Sequence, residues 1–431
     1  MITLKNVKNL QGKIENIELD SESDLHIDCE GLLLLPALID AHVHFRTPGA
    51  EHKENWISGS QAALCGGVTT VFDMPNNYPS CSTVEKLKEK RKLIDQQLKE
   101  ANIPLHYQLF FGADQSTLDE VPAAMKNGSI AVKVYMGHST GDLLMDDQKA
   151  LEKLFKIAAE EDIVVAVHAE DEAIMASQKK KLGPVQDVCM HQHLRSRESA
   201  VAASRRAIAL AKKHKTKLYL LHLSTKEELD LIRDARKEGI TVYAETTPQH
   251  LFLTEQAYQN LGTYAQMNPP IREELDQIAL WEGIRDGTID SIGTDHAPHT
   301  PEEKEQEYGK APSGIPGVET LLPLLYTAYL DGKLSLEQLL KLCRENTERI
   351  YGLESNHDFV LIDPNTSTSV ENEKLKTKCR WSPFAGWELK GWPVFTILDG
   401  RVYDCKTAKR VGESQDGTAH SRMVAHEGST L

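Results

Sequence analysis

Six side chains that could bind metal ions stand where apolar runs of the sequence end. Four are imidazoles, one is a carboxylate and one is an amine: His42, His44, His168, His222, Asp295 and Lys133. Imidazole and carboxylate ligands suit zinc, with nickel, cobalt or manganese as alternatives. His42 and His44 are two residues apart, so both imidazoles fall on the same side of an extended strand end. The combination predicts a two-metal hydrolytic centre.

Lys133 is the most unusual member of this set. It ends the β-branched, apolar run that begins at Ile130, a run typical of a buried parallel strand. A buried lysine without a partner is costly, and an ammonium group has no acceptor with which to bind a cation. Carboxylation by CO2 would convert the amine into an anion. We therefore predict a carbamate on Lys133 that bridges the two metal ions.

The elements that must position these residues follow from the alternation of strand-like and helix-like segments. Strand candidates after residue 36 lie at 38–39, 68–72, 105–111, 130–135, 163–167, 217–221, 240–244 and 289–292. Helix-like stretches lie between them, for example 83–99, with apolar residues on one face. Eight βα units in this order predict an α/β fold of the (β/α)8 TIM-barrel type. Active sites in that fold lie at the carboxyl ends of the strands, where the polar residues stand here.

The two ends of the chain have a different pattern. Short alternating segments, such as 14–19 and 394–398, indicate β hairpins. We predict a small β-sandwich-like domain built from residues 1–36 and 353–431, flanking a metal-dependent barrel of residues 37–352.

Composition restricts the partners and the compartment. A net charge of −15 argues against nucleic acid and against anionic membrane surfaces, but not against a small anionic substrate. No apolar run reaches transmembrane length, and the N-terminus has no secretory apolar region. The seven cysteines are scattered, without a CxxC motif, which indicates reduced thiols in a cytoplasmic protein. We also expect a homodimer or another homo-oligomer.

Longer motifs surround the predicted ligands: DAHVHFRTPG at 40–49, GGVTTVFDMPN at 66–76, VHAE at 167–170, HLS at 222–224 and GTDHAPH at 293–299. With these motifs the chain resembles the amidohydrolase superfamily and, within it, the dihydroorotases of the longer type. The resemblance runs from about residue 30 to about residue 400 and also includes residues 382–384.

The resemblance implies a role for each predicted ligand. His42, His44 and Asp295 would hold one zinc ion, and two further imidazoles the other: His168 and His222. Carboxylated Lys133 would bridge the ions. Asp295 would act as the catalytic acid and base, taking a proton from water and returning it to the leaving amide nitrogen.

Four more residues are candidates for substrate binding. Arg46 offers a planar fork for a carboxylate, and Asn76 and His299 could contact the same group. Asn268 could recognise ring amides. Together with this set, the resemblance to dihydroorotases implies reversible cyclisation of N-carbamoyl-L-aspartate to L-dihydroorotate, in pyrimidine biosynthesis. The alternatives are another cyclic amidohydrolase, such as an allantoinase or a dihydropyrimidinase (hydantoinase), and a catalytically inactive scaffold relative.

The segment that follows Lys133 is a candidate lid. Residues 137–141 are small and polar, with glycines at both ends that could serve as hinges. Ser139 and Thr140 would then donate hydrogen bonds to the substrate. An ordinary rigid loop is the alternative. Two histidines outside the ligand set are expected to have other roles, with His296 orienting its loop and His191 solvated or structural.

Overall fold

The structure, a computed structural model, describes residues 1–21, 24–139, 141–412 and 422–424. Within these residues, the strands that precede the barrel are β1 (Ile2–Lys8), β2 (Ile14–Leu19), β3 (Leu25–Asp28) and β4 (Leu33–Pro36). Only Ala37 separates the end of β4 from the first strand of the barrel, which begins at Leu38. The N-terminal segment therefore leads directly into the barrel.

The barrel is a parallel sheet whose strands are neighbours in chain order. Its strands are β5 (Leu38–Val43), β6 (Val68–Asp73), β7 (His106–Gly112), β8 (Ser129–Tyr135), β9 (Val164–His168), β10 (Lys217–Leu220), β11 (Val242–Thr246) and β12 (Ser291–Ile292). A parallel bridge between Val43 and His296 joins the first strand to the segment after the last one. The predicted (β/α)8 fold is confirmed, and each predicted strand overlaps an observed one.

Helices cover the outside of this sheet. In the described residues they are α1 (Trp56–Cys65), α2 (Val84–Ala101), α3 (Val121–Lys126), α4 (Gln148–Glu160), α5 (Glu172–Leu182), α6 (His191–Leu194), α7 (Arg197–His214), α8 (Lys226–Lys237), α9 (Pro248–Phe252), α10 (Gln256–Leu261), α11 (Glu274–Arg285), α12 (Pro301–Lys304), α13 (Leu321–Leu330), α14 (Leu336–Leu340) and α15 (Asn346–Tyr351). The α2 helix shows how a local pattern specifies a helix. Thr83 caps its first turn by accepting from the Lys86 amide, and Leu87 and Ile94 are buried on one face.

A second sheet joins the two ends of the chain. Its C-terminal strands are β13 (Phe359–Ile362), β16 (Pro393–Leu398), β17 (Arg401–Asp404) and β18 (Lys409–Arg410), and β14 (Ser367–Ser369) pairs separately with β15 (Glu388–Lys390). The β4 strand pairs antiparallel with β13, with Leu35 opposite Val360. The strand β19 (Arg422–Val424) lies on the far edge beside β3. The predicted β domain formed by both chain ends is therefore present.

This second sheet has its own apolar core, which includes Leu4, Ile27, Leu361 and Ile397. The segment between β13 and β16 instead packs on the barrel. Trp381 and its neighbours there share a buried cluster with barrel residues, and the Trp381 indole donates to the His299 carbonyl at 2.8 Å. Among the helices described, none combines the length and the apolar character needed to cross a bilayer.

Candidate metal and substrate site

The carboxyl ends of the barrel strands converge on one pocket. All six predicted metal ligands line it: His42, His44, Lys133, His168, His222 and Asp295. They come from β5, β8 and β9 and from the first three residues after β5, β10 and β12. Parallel strands end at a common edge, so residues far apart in sequence meet there.

The polar atoms of these residues face one another across the pocket. The Nε2 atoms of His42 and His44 lie 3.3 Å and 3.0 Å from Oδ1 of Asp295. On the opposite side, Nδ1 of His168 lies 3.0 Å from Nε2 of His222. One ligand atom from each of His42, His222 and Asp295 falls within 4.8 Å of the others. Such spacing suits ligands that share metal ions.

Three of the imidazoles also have a partner on their other ring nitrogen. His42 Nδ1 lies 2.7 Å from Oε1 of Glu245, and His168 Nε2 lies 2.8 Å from Oε2 of Glu170. His44 Nδ1 lies 2.8 Å from Oδ1 of Asn76. Metal-binding imidazoles usually carry such a partner on the outer nitrogen, because it fixes the tautomer and the ring orientation. The donor set therefore fits metal binding.

Burial sets the protonation state of these imidazoles. It lowers the pKa of His44 to about 3, against the attraction of Asp295, and it lowers the pKa of His222 well below the ordinary value. Both rings are therefore neutral at physiological pH. The neutral imidazole is the form that binds a metal ion.

Lys133 has the environment that a carbamate requires. The residue is 1% exposed, and its Nζ has no hydrogen-bond partner among the described residues. Burial lowers the pKa of Lys133 to about 7, against the opposing effects of Asp295 and Glu245. A substantial share of the amine is therefore neutral near pH 7, and the neutral amine is the form that reacts with CO2. An unpartnered buried amine among metal ligands fits the predicted bridging carbamate.

Three residues at this edge adopt backbone conformations that side-chain-bearing residues rarely take. Arg46, His222 and Asp295 have positive φ angles of 61°, 36° and 46°. Each such conformation costs about 1–3 kcal/mol, and such strain concentrates at functional sites. The strand ends are thus held in a costly geometry that turns these side chains into the pocket.

Arg46 brings a buried positive charge to the same pocket. It is 7% exposed, its Nε donates to the Pro298 carbonyl at 3.1 Å, and its Nη2 lies 3.1 Å from Nε2 of His299. No ion pair joins it to a carboxylate in the described part of the chain. Burying a charge without a counter-ion is costly, and an anion in the pocket would offset that cost.

The other predicted substrate residues lie around this guanidinium. Asn76 and Asn268 line the pocket, while His299 lies behind Arg46 and outside the lining. Asn268 is held by a buried histidine, with its Oδ1 3.0 Å from Nε2 of His191. Ser139 also lines the pocket and accepts from Asn268 Nδ2 at 3.4 Å. Thr140, the second lid candidate, lies outside the described residues.

Several residues around the site were not anticipated from the sequence. Glu245 is the penultimate residue of β11. A search for polar residues at the ends of the predicted strands would therefore have found it. Tyr135 ends β8 and also lines the pocket. Glu170 pairs with Arg195, whose Nη2 also donates to the His138 carbonyl at 2.9 Å. No local pattern marks Arg195, since its partners are set by the fold.

Comparison with known proteins agrees with this geometry. The amidohydrolase family matches the chain over residues 33–403. A dihydroorotase of Halobacterium salinarum is 36% identical over 419 residues, covering 92% of this chain and 95% of that protein. A dihydroorotase of Thermus aquaticus is 36% identical over 408 residues, covering 91% and 93%.

Solved structures with a similar fold include an L-hydantoinase (dihydropyrimidinase) from Arthrobacter aurescens. It has a TM-score of 0.85 at 28% identity, covering 94% of this chain and 96% of that one. A dihydropyrimidinase from Brevibacillus agri gives 0.81 at 25% identity, covering 92% and 94%. The resemblance predicted from the motifs is confirmed: the chain belongs to the amidohydrolase family, and its relatives at 36% identity are dihydroorotases.

Proposed function

We propose that this protein is a dihydroorotase, which interconverts N-carbamoyl-L-aspartate and L-dihydroorotate in pyrimidine biosynthesis. The observation that carries the proposal is the buried Arg46 guanidinium, which opens onto the same pocket as the six candidate metal ligands. Hydrolytic opening of a cyclic amide would use the metal ions that these ligands could hold. A ring that bears a carboxylate would also need a cation to bind it, and Arg46 supplies one. The similarity to dihydroorotases over more than nine-tenths of the chain supports the same function.

We further propose that the site binds two zinc ions and that Lys133 carries a carbamate. One ion would be held by His42, His44 and Asp295, the other by a second pair of imidazoles: His168 and His222. The carbamate would contact both. When bound, the ions would polarise the scissile carbonyl and lower the pKa of a water molecule.

In this proposal Asp295 transfers the proton. Burial by itself would raise its pKa, but the neighbouring His42 and His44 hold the pKa of Asp295 well below its ordinary value. The group is therefore a carboxylate at neutral pH and can accept a proton from the attacking water. In ring opening it would pass that proton to the amide nitrogen, and in ring closure the transfer would run in reverse.

Arg46 and its neighbours would orient the substrate. The guanidinium would pair with the carboxylate that both the ring and the open chain carry. The amides of Asn76 and Asn268, which line the same pocket, would contact the rest of the substrate. This anchor would turn the scissile amide toward Asp295 and the metal ligands. We propose that Ser139 and the loop around it close over the bound substrate.

A second candidate function is hydantoinase or dihydropyrimidinase activity. The similarity in fold to solved proteins with those names favours it. A buried cation in the pocket argues against it, because hydantoin and dihydrouracil carry no carboxylate for Arg46 to bind.

A substrate panel would decide between the functions. Zinc-loaded protein should open L-dihydroorotate and close N-carbamoyl-L-aspartate, with low pH favouring closure because ring formation consumes a proton. Opening of hydantoin, dihydrouracil or allantoin with no action on dihydroorotate would overturn the proposal. Inactivity on every substrate, in protein shown to contain metal, would favour the inactive scaffold.

The remaining proposals concern the whole molecule. We propose a cytoplasmic protein, since the seven cysteines, all within the described residues, are free thiols. We propose a homo-oligomer, which sedimentation equilibrium would test. We keep the domain boundaries 1–36, 37–352 and 353–431 as a proposal that limited proteolysis would test.

A further inference from the structure

The ring of His299 has an unusual set of neighbours. Its Nδ1 lies 3.1 Å from Nζ of Lys53 and 3.3 Å from Oε2 of Glu303. Its Nε2 lies 3.1 Å from Nη2 of Arg46 and 3.1 Å from the Ser313 carbonyl oxygen. Each ring nitrogen therefore faces one cationic donor and one oxygen acceptor. A neutral ring carries a hydrogen on only one of its two nitrogens. That nitrogen can donate to its oxygen neighbour, and the other nitrogen can accept from its cationic neighbour.

The ring is neutral in this environment. Burial lowers the pKa of His299 well below its ordinary value, and the nearby positive charge of Arg46 lowers it further. The hydrogen bond with Glu303 opposes this shift but does not cancel it. Burial also opposes ionisation of Glu303, but His299 and Lys53 outweigh it and hold the pKa of that carboxyl well below the ordinary range. The choice between the two tautomers of the neutral ring is thus set by hydrogen bonding.

The two tautomers have different consequences for Arg46. If Nδ1 carries the hydrogen, it donates to Glu303, and the Nε2 lone pair accepts from Arg46 Nη2. If Nε2 carries the hydrogen, it donates to Ser313, and Nδ1 accepts from Lys53. Only the second tautomer releases Arg46 Nη2 from His299, so that its hydrogens can bind an anion in the pocket.

Lys53 is well placed to stabilise that second tautomer. Its Nζ pairs with Oε1 of Glu303 at 3.0 Å and is only 17% exposed in its side chain. Glu303 Oε2 is also engaged by the Thr300 amide at 3.2 Å, where Glu303 closes a capping box at the start of α12. The carboxylate is therefore shared among several donors, while the ammonium group adds one hydrogen bond that only an unprotonated Nδ1 can accept.

We propose that Lys53 is a positioning residue that selects the Nε2–H tautomer of His299 when substrate is bound, and thereby keeps the Arg46 hydrogens available to the substrate carboxylate. This assignment rests on the proposed function, in which Arg46 binds that carboxylate. It extends the substrate site beyond the groups that touch the substrate. It also adds positive charge beside the mouth of the pocket in a chain whose net charge is −15.

The test compares Lys53→Met with the double variant Lys53→Met/Glu303→Gln, using zinc-loaded protein and L-dihydroorotate. In the single variant Glu303 is the remaining partner of Nδ1, so the ring takes the Nδ1–H tautomer and withdraws Arg46. We expect KM to rise about tenfold or more, the scale of one hydrogen bond to a charged group, with kcat and zinc content within about twofold of wild type. In the double variant the glutamine amide can donate to Nδ1, and KM should return toward the wild-type value.

A purely structural or long-range charge role would give other results. Lys310→Met is the matched control, because it removes an exposed lysine that pairs with Glu307 at 2.7 Å in the same loop region. An unchanged KM in Lys53→Met, an equal rise in Lys310→Met, or a double variant as impaired as the single one would each overturn the assignment. Wild-type protein that leaves L-dihydroorotate untouched would overturn the proposed function and, with it, this role of Lys53.

Discussion

Replacing Glu245 by glutamine should weaken zinc binding without unfolding the protein. Glu245 is fully buried, its Oε1 lies 2.7 Å from His42 Nδ1, and its Oε2 accepts from the Tyr219 hydroxyl at 2.8 Å. The carboxylate fixes the ring so that Nε2 points at Asp295, and its charge raises the basicity of that nitrogen. Glutamine keeps the shape and one acceptor oxygen but removes the charge.

The size of the effect follows from how many metal ligands Glu245 orients. Its carboxylate holds the ring of one candidate ligand, His42. The loss of zinc affinity should therefore equal the effect of removing one hydrogen-bond partner from the outer nitrogen of one metal-binding imidazole. Such partners change metal affinity about 10- to 100-fold, which corresponds to about 1.4–2.7 kcal/mol. The metal-free protein should not lose stability, because the substitution removes a buried charge that has no metal ion to balance it.

The assay is a zinc titration against a competing chelator, together with thermal unfolding of the metal-free protein. Glu228→Gln is the matched control, since Glu228 is a buried glutamate that caps α8 through Thr225 and lies outside the pocket lining. The control should change stability but not zinc affinity. A zinc affinity in Glu245→Gln within about twofold of wild type would refute the idea that this carboxylate orients a metal ligand.

Three further outcomes are expected. Lys133→Ala should lose the bridged two-metal centre, with partial recovery in propionate. Full metal content and turnover without added acid would contradict the carbamate. Arg46→Met should raise KM for dihydroorotate about 30-fold or more, the lower end of the cost of breaking a buried charge pair, with metal content unchanged; normal kinetics would make Arg46 structural. The hydrogen bond with Asp358 is the main cause of the raised pKa of His106 in the folded protein. Protonated His106 therefore stabilises the folded state. This contribution is complete below the unfolded-state pKa of about 6.5 and is lost as pH rises through the higher folded-state pKa. His106→Gln should therefore lower the melting temperature more at about pH 6 than at about pH 9, and an equal deficit at both would count against this ion pair.

The sequence alone determined the barrel and the identity of the candidate ligands. Both depend on local patterns, since each apolar run is a few residues long and the polar residue that ends it is adjacent in the chain. Lys133 is the clearest example, because its surroundings in the strand already imply burial. Parallel strands place their carboxyl ends at one edge, so six local observations were enough to place six side chains in one pocket.

The tertiary structure alone decided how those side chains are held. His42 and Glu245 are 203 positions apart, and Lys53 and His299 are 246 positions apart, so no local pattern links them. Which ring nitrogen faces the pocket depends on the partner of the other nitrogen, and for His42 and His44 that partner comes from a different strand or loop. The pairing of β4 with β13 is of the same kind. The spacing of apolar residues and the burial it implies are properties of a short segment. A hydrogen-bond partner on the other side of the barrel is in reach only after the whole chain has folded.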